Sequence, residues 1–460
     1  MTIAINCRRA VHLIGIGGAG MSPLAEVLAR IGCRVTGSDR ERSQATARLE
    51  ERGITVQYGH EPDLVTGAEM VVYSSAIRPD NPERAWARDH GVAQVRRAEI
   101  VGDVMRMGMS IAVAGTHGKT TTTSLVTHLL SCCGPAPLAL VGGVMRRPAP
   151  QPQVAAGTAV VVEADEFDRS FLSMYPTVAV VTTIEEEHLD IYRDLDDIKN
   201  AFIQFVNHAP FYGMAVVCTD DTNVRSIVPF LKPRVVTCGL DAGARYRASD
   251  VRREGAVTVF TAACDGAALG TVRLPLAGAH NVRNALCALA AVVETGTPFD
   301  AAAAAMASFG GVRRRMEIAG VEKGVTVIDD YAHHPGEIRA VIAALKTMEY
   351  KRIIAVFQPH LYTRTRDFMD MFAESLMPAD VIVVAPIYRS REEPIEGVSA
   401  ETIVNKARAA GHGSAHYVMQ ADQAAPLLAP VVRPGDAVVG MGAGDIWQVC
   451  AKLLKEIAHA

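Results

Sequence analysis

The chain has 460 residues, too many for one hydrophobic core, so the size prior favours about three domains. Its 49% hydrophobic and 21% charged residues are those of an ordinary globular protein, and a net charge of −4 with a pI near 6.4 excludes nucleic-acid binding as its main task. No apolar run reaches membrane-spanning length, the N-terminus Met1–Arg9 lacks a signal-peptide core, and the nine cysteines are scattered without metal-ligand spacing, which together predict a cytoplasmic protein with reduced thiols and no membrane partner.

Residues 11 to 39 read as a βαβ unit. An apolar strand runs into Gly15-Ile-Gly17-Gly18-Ala19-Gly20-Met21, a helix follows to Arg30, and a second strand ends at Ser38-Asp39. A Gly-x-Gly-x-x-Gly turn with an acid about twenty residues on is the dinucleotide fingerprint, although the same turn can hold any diphosphate. Met70–Ile77 is a further buried strand that ends in the hydroxyls of Ser74 and Ser75, where doubly wound sheets place ligand contacts.

A second region opens near residue 109. The apolar run Met109–Val113 leads into Gly115-Thr116-His117-Gly118-Lys119-Thr120-Thr121 and then a helical segment from Ser124. Strand, glycine turn and helix start make a phosphate cradle. Backbone N–H groups converge on phosphate oxygens, Lys119 adds a point charge, and Thr120 offers a magnesium ligand. Val113 stands where the usual pattern has its first glycine, so the loop is a shortened one. Beyond a proline-rich loop, Pro148–Pro152, the strand Thr158–Val162 ends in Glu163, Asp165 and Glu166, and the strand Val178–Ile184 runs into Glu185–Asp190 with His188. A carboxylate at a strand tip beside a phosphate loop is where a magnesium ligand belongs. His280-Asn281-Val-Arg-Asn284 opens a long apolar helix, and its polar start serves either a nucleotide base or the helix cap.

Arg313-Arg-Arg315-Met-Glu317 reads as a hinge before a third unit. There strand, polar tip and helix recur: Val325 to Asp330-Tyr331-Ala-His333-His334-Pro335, Ile353 to His360 and Arg364-Thr-Arg366, Asp380 to Ala385, and a glycine turn at Gly442–Asp445. Paired histidines raise a zinc site, but no third ligand stands at useful spacing. The expected fold is α/β with a Rossmann-like domain (1–108), a central P-loop ATPase-type domain (109–313) and a C-terminal Rossmann-like domain (314–460).

With these motifs in order, the chain resembles the Mur ligase family of peptidoglycan synthesis along its whole length. Gly15–Ser22, Gly115–Thr123, Glu163–Glu166, Pro210–Gly213, His280–Asn284, Asp329–Pro335, Gln358–His360 and Gly442–Asp445 carry the likeness. The resemblance implies ATP and Mg2+ as cofactors, with UDP-N-acetylmuramate and L-alanine as small-molecule partners, in a monomer or homodimer. A carboxylate is phosphorylated to an acyl phosphate, the alanine amine displaces phosphate, and domain closure excludes water. Residues carried over by motif are Gly17, Gly18, Ala19, Gly20, Met21, Ser38, Asp39, Ser74 and Ser75 for the UDP-sugar, and Gly115 to Thr121 for ATP phosphates with Lys119 catalytic. Thr120 and Glu163 would hold one magnesium and His188 a second. His280, Asn281 and Asn284 would lie near adenine, Asp330 near ribose, and Arg315 also at ATP; Tyr331, His333, His360 and Arg364 would take alanine.

Departures from the family pattern are Thr183 and Glu187, where Asn and Asp are usual, and Leu361, where an arginine follows the histidine. Ile203 replaces the carbamylated lysine of sister ligases, as the alanine-adding branch does. Two rival readings explain less. An NAD dehydrogenase leaves residues 115 to 120 without a role, and a nucleotide sensor leaves Glu163 and His188 without one.

Overall fold

The computed structural model describes residues 9–146, 157–390 and 392–459. The loop Pro148–Pro152 and residues 1 to 8 lie outside the described residues. Internal contacts divide the chain into two compact units: Met1–Arg252 with Val259–Pro275 and Arg283–Gly310, and Arg253–Thr258 with Leu276–Val282 and Gly311–Ala460.

The first unit holds two sheets. In the N-terminal one, five parallel strands stand in the spatial order Thr55–Tyr58, Arg34–Asp39, Ala10–Ile14, Met70–Tyr73, Ala93–Arg96. Ala10–Ile14 is buried at every residue, as a strand covered on both faces must be. Strand order reverses between it and Met70–Tyr73, which opens a crevice beyond their carboxyl ends. Helix Met21–Arg30 closes one face with Leu24, Ala25, Val27 and Leu28.

The second sheet has nine strands, ordered Ala267–Leu274, Val257–Cys264, Tyr246–Glu254, Arg234–Gly239, Met214–Cys218, Val178–Val181, Ser110–Ala114, Val160–Glu163, Leu138–Leu140. From Arg234–Gly239 to Leu138–Leu140 every pairing is parallel, and these strands are rich in valine because both faces are covered. A stacked pair, Phe171 on Phe205 at 5.0 Å, with Phe202 edge-on, fills the space under helix Leu195–Asn207. One apolar cluster runs through both sheets of this unit, from Leu13 and Leu24 through Val101 and Met105 to Ala112, Phe202 and Val217.

The second unit is built on six strands, ordered Glu317–Glu322, Val325–Asp330, Asp436–Met441, Arg352–Phe357, Val381–Val384, Ala415–Tyr417. Only the first pairing is antiparallel. Helices Pro335–Lys346, Met369–Leu376 and Glu401–Ala409 cover one face, Ala424–Leu428 and Trp447–His459 the other. The expected hinge residues Arg314 and Met316 both take positive φ, so that segment is a tight turn.

A buried carboxylate ties the N-terminal sheet together. Glu83, in the first turn of helix Pro82–Asp89, accepts from His12 Nε2 at 2.7 Å, from Ser38 Oγ at 2.8 Å and from His60 Nδ1 at 2.5 Å. Burial works against its charge, but the three donors outweigh that and hold the carboxyl below its ordinary value. A group depressed on folding contributes stability that is complete above its unfolded pKa and lost as pH falls through the folded one. Glu83→Gln should therefore be destabilised by about 3 kcal/mol near neutrality, with the gap to the parent closing below about pH 4, as read by chemical unfolding across pH.

Candidate functional site

Parallel register sets the site. Val113 pairs with Glu163 and Ala114 with Val181, so the phosphate loop, the strand-end acids and Thr182–Thr183 emerge side by side at the carboxyl ends of three adjacent strands. Threonines pin the loop from its neighbour. Thr116 N donates to Thr183 O at 2.9 Å, His117 N to Thr183 Oγ1 at 2.9 Å, and Glu185 N to Thr116 Oγ1 at 2.8 Å. Thr183, the departure from the family's asparagine, thus buttresses the loop. Gly118 N-caps helix Lys119–Cys133 at φ 82°, and a Cβ there would lie 2.4 Å from Asn284 Oδ1. Only glycine fits, and the same contact brings Asn284 onto the loop.

Inside this cradle Lys119 Nζ donates to both Glu166 oxygens at 2.9 and 2.8 Å. Burial disfavours the ammonium, but Glu166, Asp165 and Glu187 together raise its pKa above the ordinary value. Burial likewise pushes Glu166 up, to about 7, against the pull of Lys119. Thr120 Oγ1 donates to Glu163 Oε1 at 2.7 Å, and Gly142 N to Glu163 Oε2 at 2.7 Å. Asp165, Glu166 and His188 bring three potential ligand atoms within 4.8 Å of one another. His188 holds φ 55°, an uncommon conformation for a side chain of its kind, and packs edge-on to Phe167 at 5.1 Å. Thr121 is buried in the first turn of the helix.

At the N-terminal sheet the glycine turn leaves Gly18 and Ala19 exposed, with Met21 buried beneath them. A Cβ on Gly17 would stand 2.9 Å from Asp39 Oδ2, and Gly17 N donates to that oxygen at 2.8 Å. Asp39 braces the turn, while Gly20 begins the helix beneath it. Ser38 has its hydroxyl turned inward to Glu83, fully buried, and reaches the turn only through its carbonyl, which accepts from Gly15 N and Ile16 N. Ser74 and Ser75 lie half-buried and exposed beyond the adjacent strand.

The second unit gathers the remaining candidates. Asp330 is buried and accepts from Met316 N at 2.7 Å and Ala332 N at 2.8 Å; burial lifts it to about 6 although Arg315 pulls it down. Arg314 and Arg315 both lie over the Tyr331 ring, at 5.0 and 5.2 Å. Tyr331, His333 and His360 follow in a chain of edge contacts, 5.3 and 6.0 Å apart, and Arg364 Nη1 stands 3.4 Å from His360 Nδ1. Arg366 instead pairs with Asp367 and is largely exposed. His334 caps helix Pro335–Lys346 by accepting from Gly336 N. His280 packs against Gly278, and the Asn281 amide donates to Ala277 O, a helix-start contact.

Sequence reading gave no separate role to Glu166 or Tyr192, whose hydroxyl donates to Glu166 O at 2.7 Å. The acidic run was visible. Which of its members faces the lysine depends on the turn that follows the strand.

A glycine cradle at a helix start, with a lysine, a hydroxyl and strand-end carboxylates, defines a nucleotide-phosphate-binding α/β protein. Three models of known families match it: Mur ligase family, catalytic domain at residues 10–108, Mur ligase middle domain at 113–292, and Mur ligase, glutamate ligase domain at 314–444. The chain belongs to the Mur ligase family. It is 46% identical over 447 residues to a UDP-N-acetylmuramate–L-alanine ligase of Salinibacter ruber, covering 97% of this chain and 94% of the relative. To one of Geotalea uraniireducens it is 42% identical, with 97% and 98% covered. Among solved structures it is similar to a UDP-N-acetylmuramate-alanine ligase of Thermotoga maritima, with a TM-score of 0.79, 28% identity, and 97% and 98% covered. A murein peptide ligase of Psychrobacter arcticus gives 0.69 at 25% identity, with 98% and 99% covered.

Gly118→Ala tests the loop. Its left-handed backbone should cost about 1–2 kcal/mol of stability. The displaced loop should weaken ADP binding about tenfold or more. Thermal melting and calorimetry on the same preparation separate the two.

Proposed function

We propose that this chain is an ATP-dependent ligase that joins L-alanine to the carboxylate of UDP-N-acetylmuramate, releasing ADP and phosphate, in peptidoglycan synthesis. The observation that carries this reading is the near full-length likeness to relatives of that name together with an intact Lys119, Thr120 and Glu163 constellation. A domain division at 1–108, 109–313 and 314–460 gives the UDP-sugar, ATP and the amino acid one domain each. Free thiols at the described cysteines and the need for ATP support a cytoplasmic enzyme. Among the described residues no helix is long and apolar enough to cross a membrane.

An amide does not form usefully from a carboxylate and an amine in water, so the carboxylate must first become a better acyl donor. A substrate carboxylate oxygen attacks the γ-phosphorus of ATP, the bond to the β-phosphate oxygen breaks, and ADP leaves. The alanine amine then attacks the acyl carbon, phosphate departs with the bonding pair, and the amine loses its proton. The loop amides and Lys119 spread the charge of the in-line transfer. Thr120 and Glu163 offer hard oxygens 2.7 Å apart, a donor set that suits magnesium, and they would hold it. Magnesium there supplies charge neutralisation at the transferring phosphoryl group. His188 stands with the neighbouring acids where a second ion would sit.

At the first sheet, the glycine turn with its exposed Gly18 and Ala19 suits the diphosphate, and Asp39, Ser74 and Ser75 suit the nucleoside. In the second unit a free amino acid brings a carboxylate that needs charge-assisted donors once desolvated. Leu361 offers none, and Arg366 is already engaged. Arg364, beside His360, takes that contact.

A phosphate-release assay with ATP, magnesium and UDP-N-acetylmuramate, with and without L-alanine, tests the whole reading; phosphate release that ignores the sugar nucleotide would sink it. Lys119→Ala should lower turnover about 1,000-fold or more, with UDP-sugar affinity near the parent's by calorimetry. Arg364→Ala should raise the L-alanine KM about tenfold or more. An unchanged L-alanine KM would move the search to Arg366.

A further inference from the structure

We infer that Glu166 is a positioning residue that holds Lys119 in an internal ion pair until nucleotide arrives, so that ATP enters well only with a divalent cation. The inference rests on the reading of the loop as an ATP site, and adds to it a function for a carboxylate that no motif assigns.

Both Glu166 oxygens grip the ammonium, at 2.9 and 2.8 Å, in a site where Glu166 is 2% exposed. The lysine also reaches back to Thr116 O at 3.4 Å, so in this state it lies along the loop. Asp165 and Glu187 act on the same ammonium, which leaves one cation facing three carboxylates. For Lys119 to turn to a phosphate it must leave Glu166, and a buried carboxylate stripped of its partner is costly. Glu166 cannot easily follow, because its backbone is anchored by Tyr192, itself fully buried, through the 2.7 Å bond to Glu166 O. Nucleotide arriving without a metal adds negative charge to an acidic site and frees more of it. A divalent cation arriving with the nucleotide supplies the compensating charge, and Asp165, Glu166 and His188 are spaced to receive it. A purely structural clamp would have no such sensitivity to metal.

Calorimetry of the full chain with ADP and with ATP, in magnesium and in EDTA, tests this. In Glu166→Gln, which keeps shape and loses charge, metal-free affinity should rise about fivefold or more while magnesium-nucleotide affinity does not rise with it. Glu166→Asp, whose carboxylate is withdrawn by one methylene, should fall between the parent and Glu166→Gln. Metal-free affinity equal to or below the parent's in both variants overturns the inference, as does equal weakening with and without magnesium. If the parent binds neither nucleotide in magnesium, the ATP-site reading itself fails, an outcome distinct from loss of the Glu166 effect alone.

Discussion

A buried cation must be paired, and in this molecule the pairing is arranged by strand register. Val113 opposite Glu163 and Ala114 opposite Val181 fix where the phosphate loop leaves the sheet relative to the acids and the threonines. A slip of one residue would turn every side chain of the moved strand to the other face, carrying Glu163 away from Thr120. The sheet is therefore more than a scaffold: in strands apolar on both faces it is the observed pairing that decides which groups meet at the strand ends. Lys119, Glu163, Glu166 and the Thr182–Thr183 backbone are consequences of that choice.

What could be read from the sequence follows the same physics. Strands buried on both faces appear as continuous apolar runs, and glycine turns between strand and helix leave no other residue type at Gly17 or Gly118, so the three α/β sheets and both glycine loops are visible without coordinates. Tyr246–Glu254 is not. It carries arginines and acids on an exposed face, with Tyr246 and Ala248 buried and Arg247 exposed between them, and so lacks the apolar run that marked its neighbours. The edge strand Glu317–Glu322 is too short and glycine-interrupted to show such a run, and its apolar Ile318 and Val321 face solvent.

Side-chain direction was less legible than element type. Ser38 and Asp39 are neighbours at the end of one strand and so point to opposite faces. Asp39 reaches the glycine turn, while Ser38 turns to a glutamate 45 residues away. His333 and His334 look like a metal pair in sequence, yet His334 Nδ1 accepts from Gly336 N at a helix cap and His333 Nδ1 lies 2.9 Å from Tyr331 O. Among the strand-end acids, two near-identical carboxylates divide the work: Glu163 meets the hydroxyl of Thr120 and Glu166 the ammonium of Lys119. No local pattern distinguishes these outcomes. They are decided by partners distant in sequence.

Leu361 shows how a departure from a family pattern can be absorbed. It occupies a left-handed backbone, φ 71°, as the residue before helix Tyr362–Asp367, and its N–H donates to Tyr388 O at 3.0 Å. An ordinary leucine avoids that conformation. It is over-determined here by the bond to Tyr388 and by Thr363, whose N–H and hydroxyl both donate to Glu392. The turn therefore keeps its shape without help from the side chain at 361. Arg364, in the helix that follows this turn, comes to His360, whereas Arg366 points to Asp367 and solvent. The backbone fixed at Leu361 is what gives Arg364 its position.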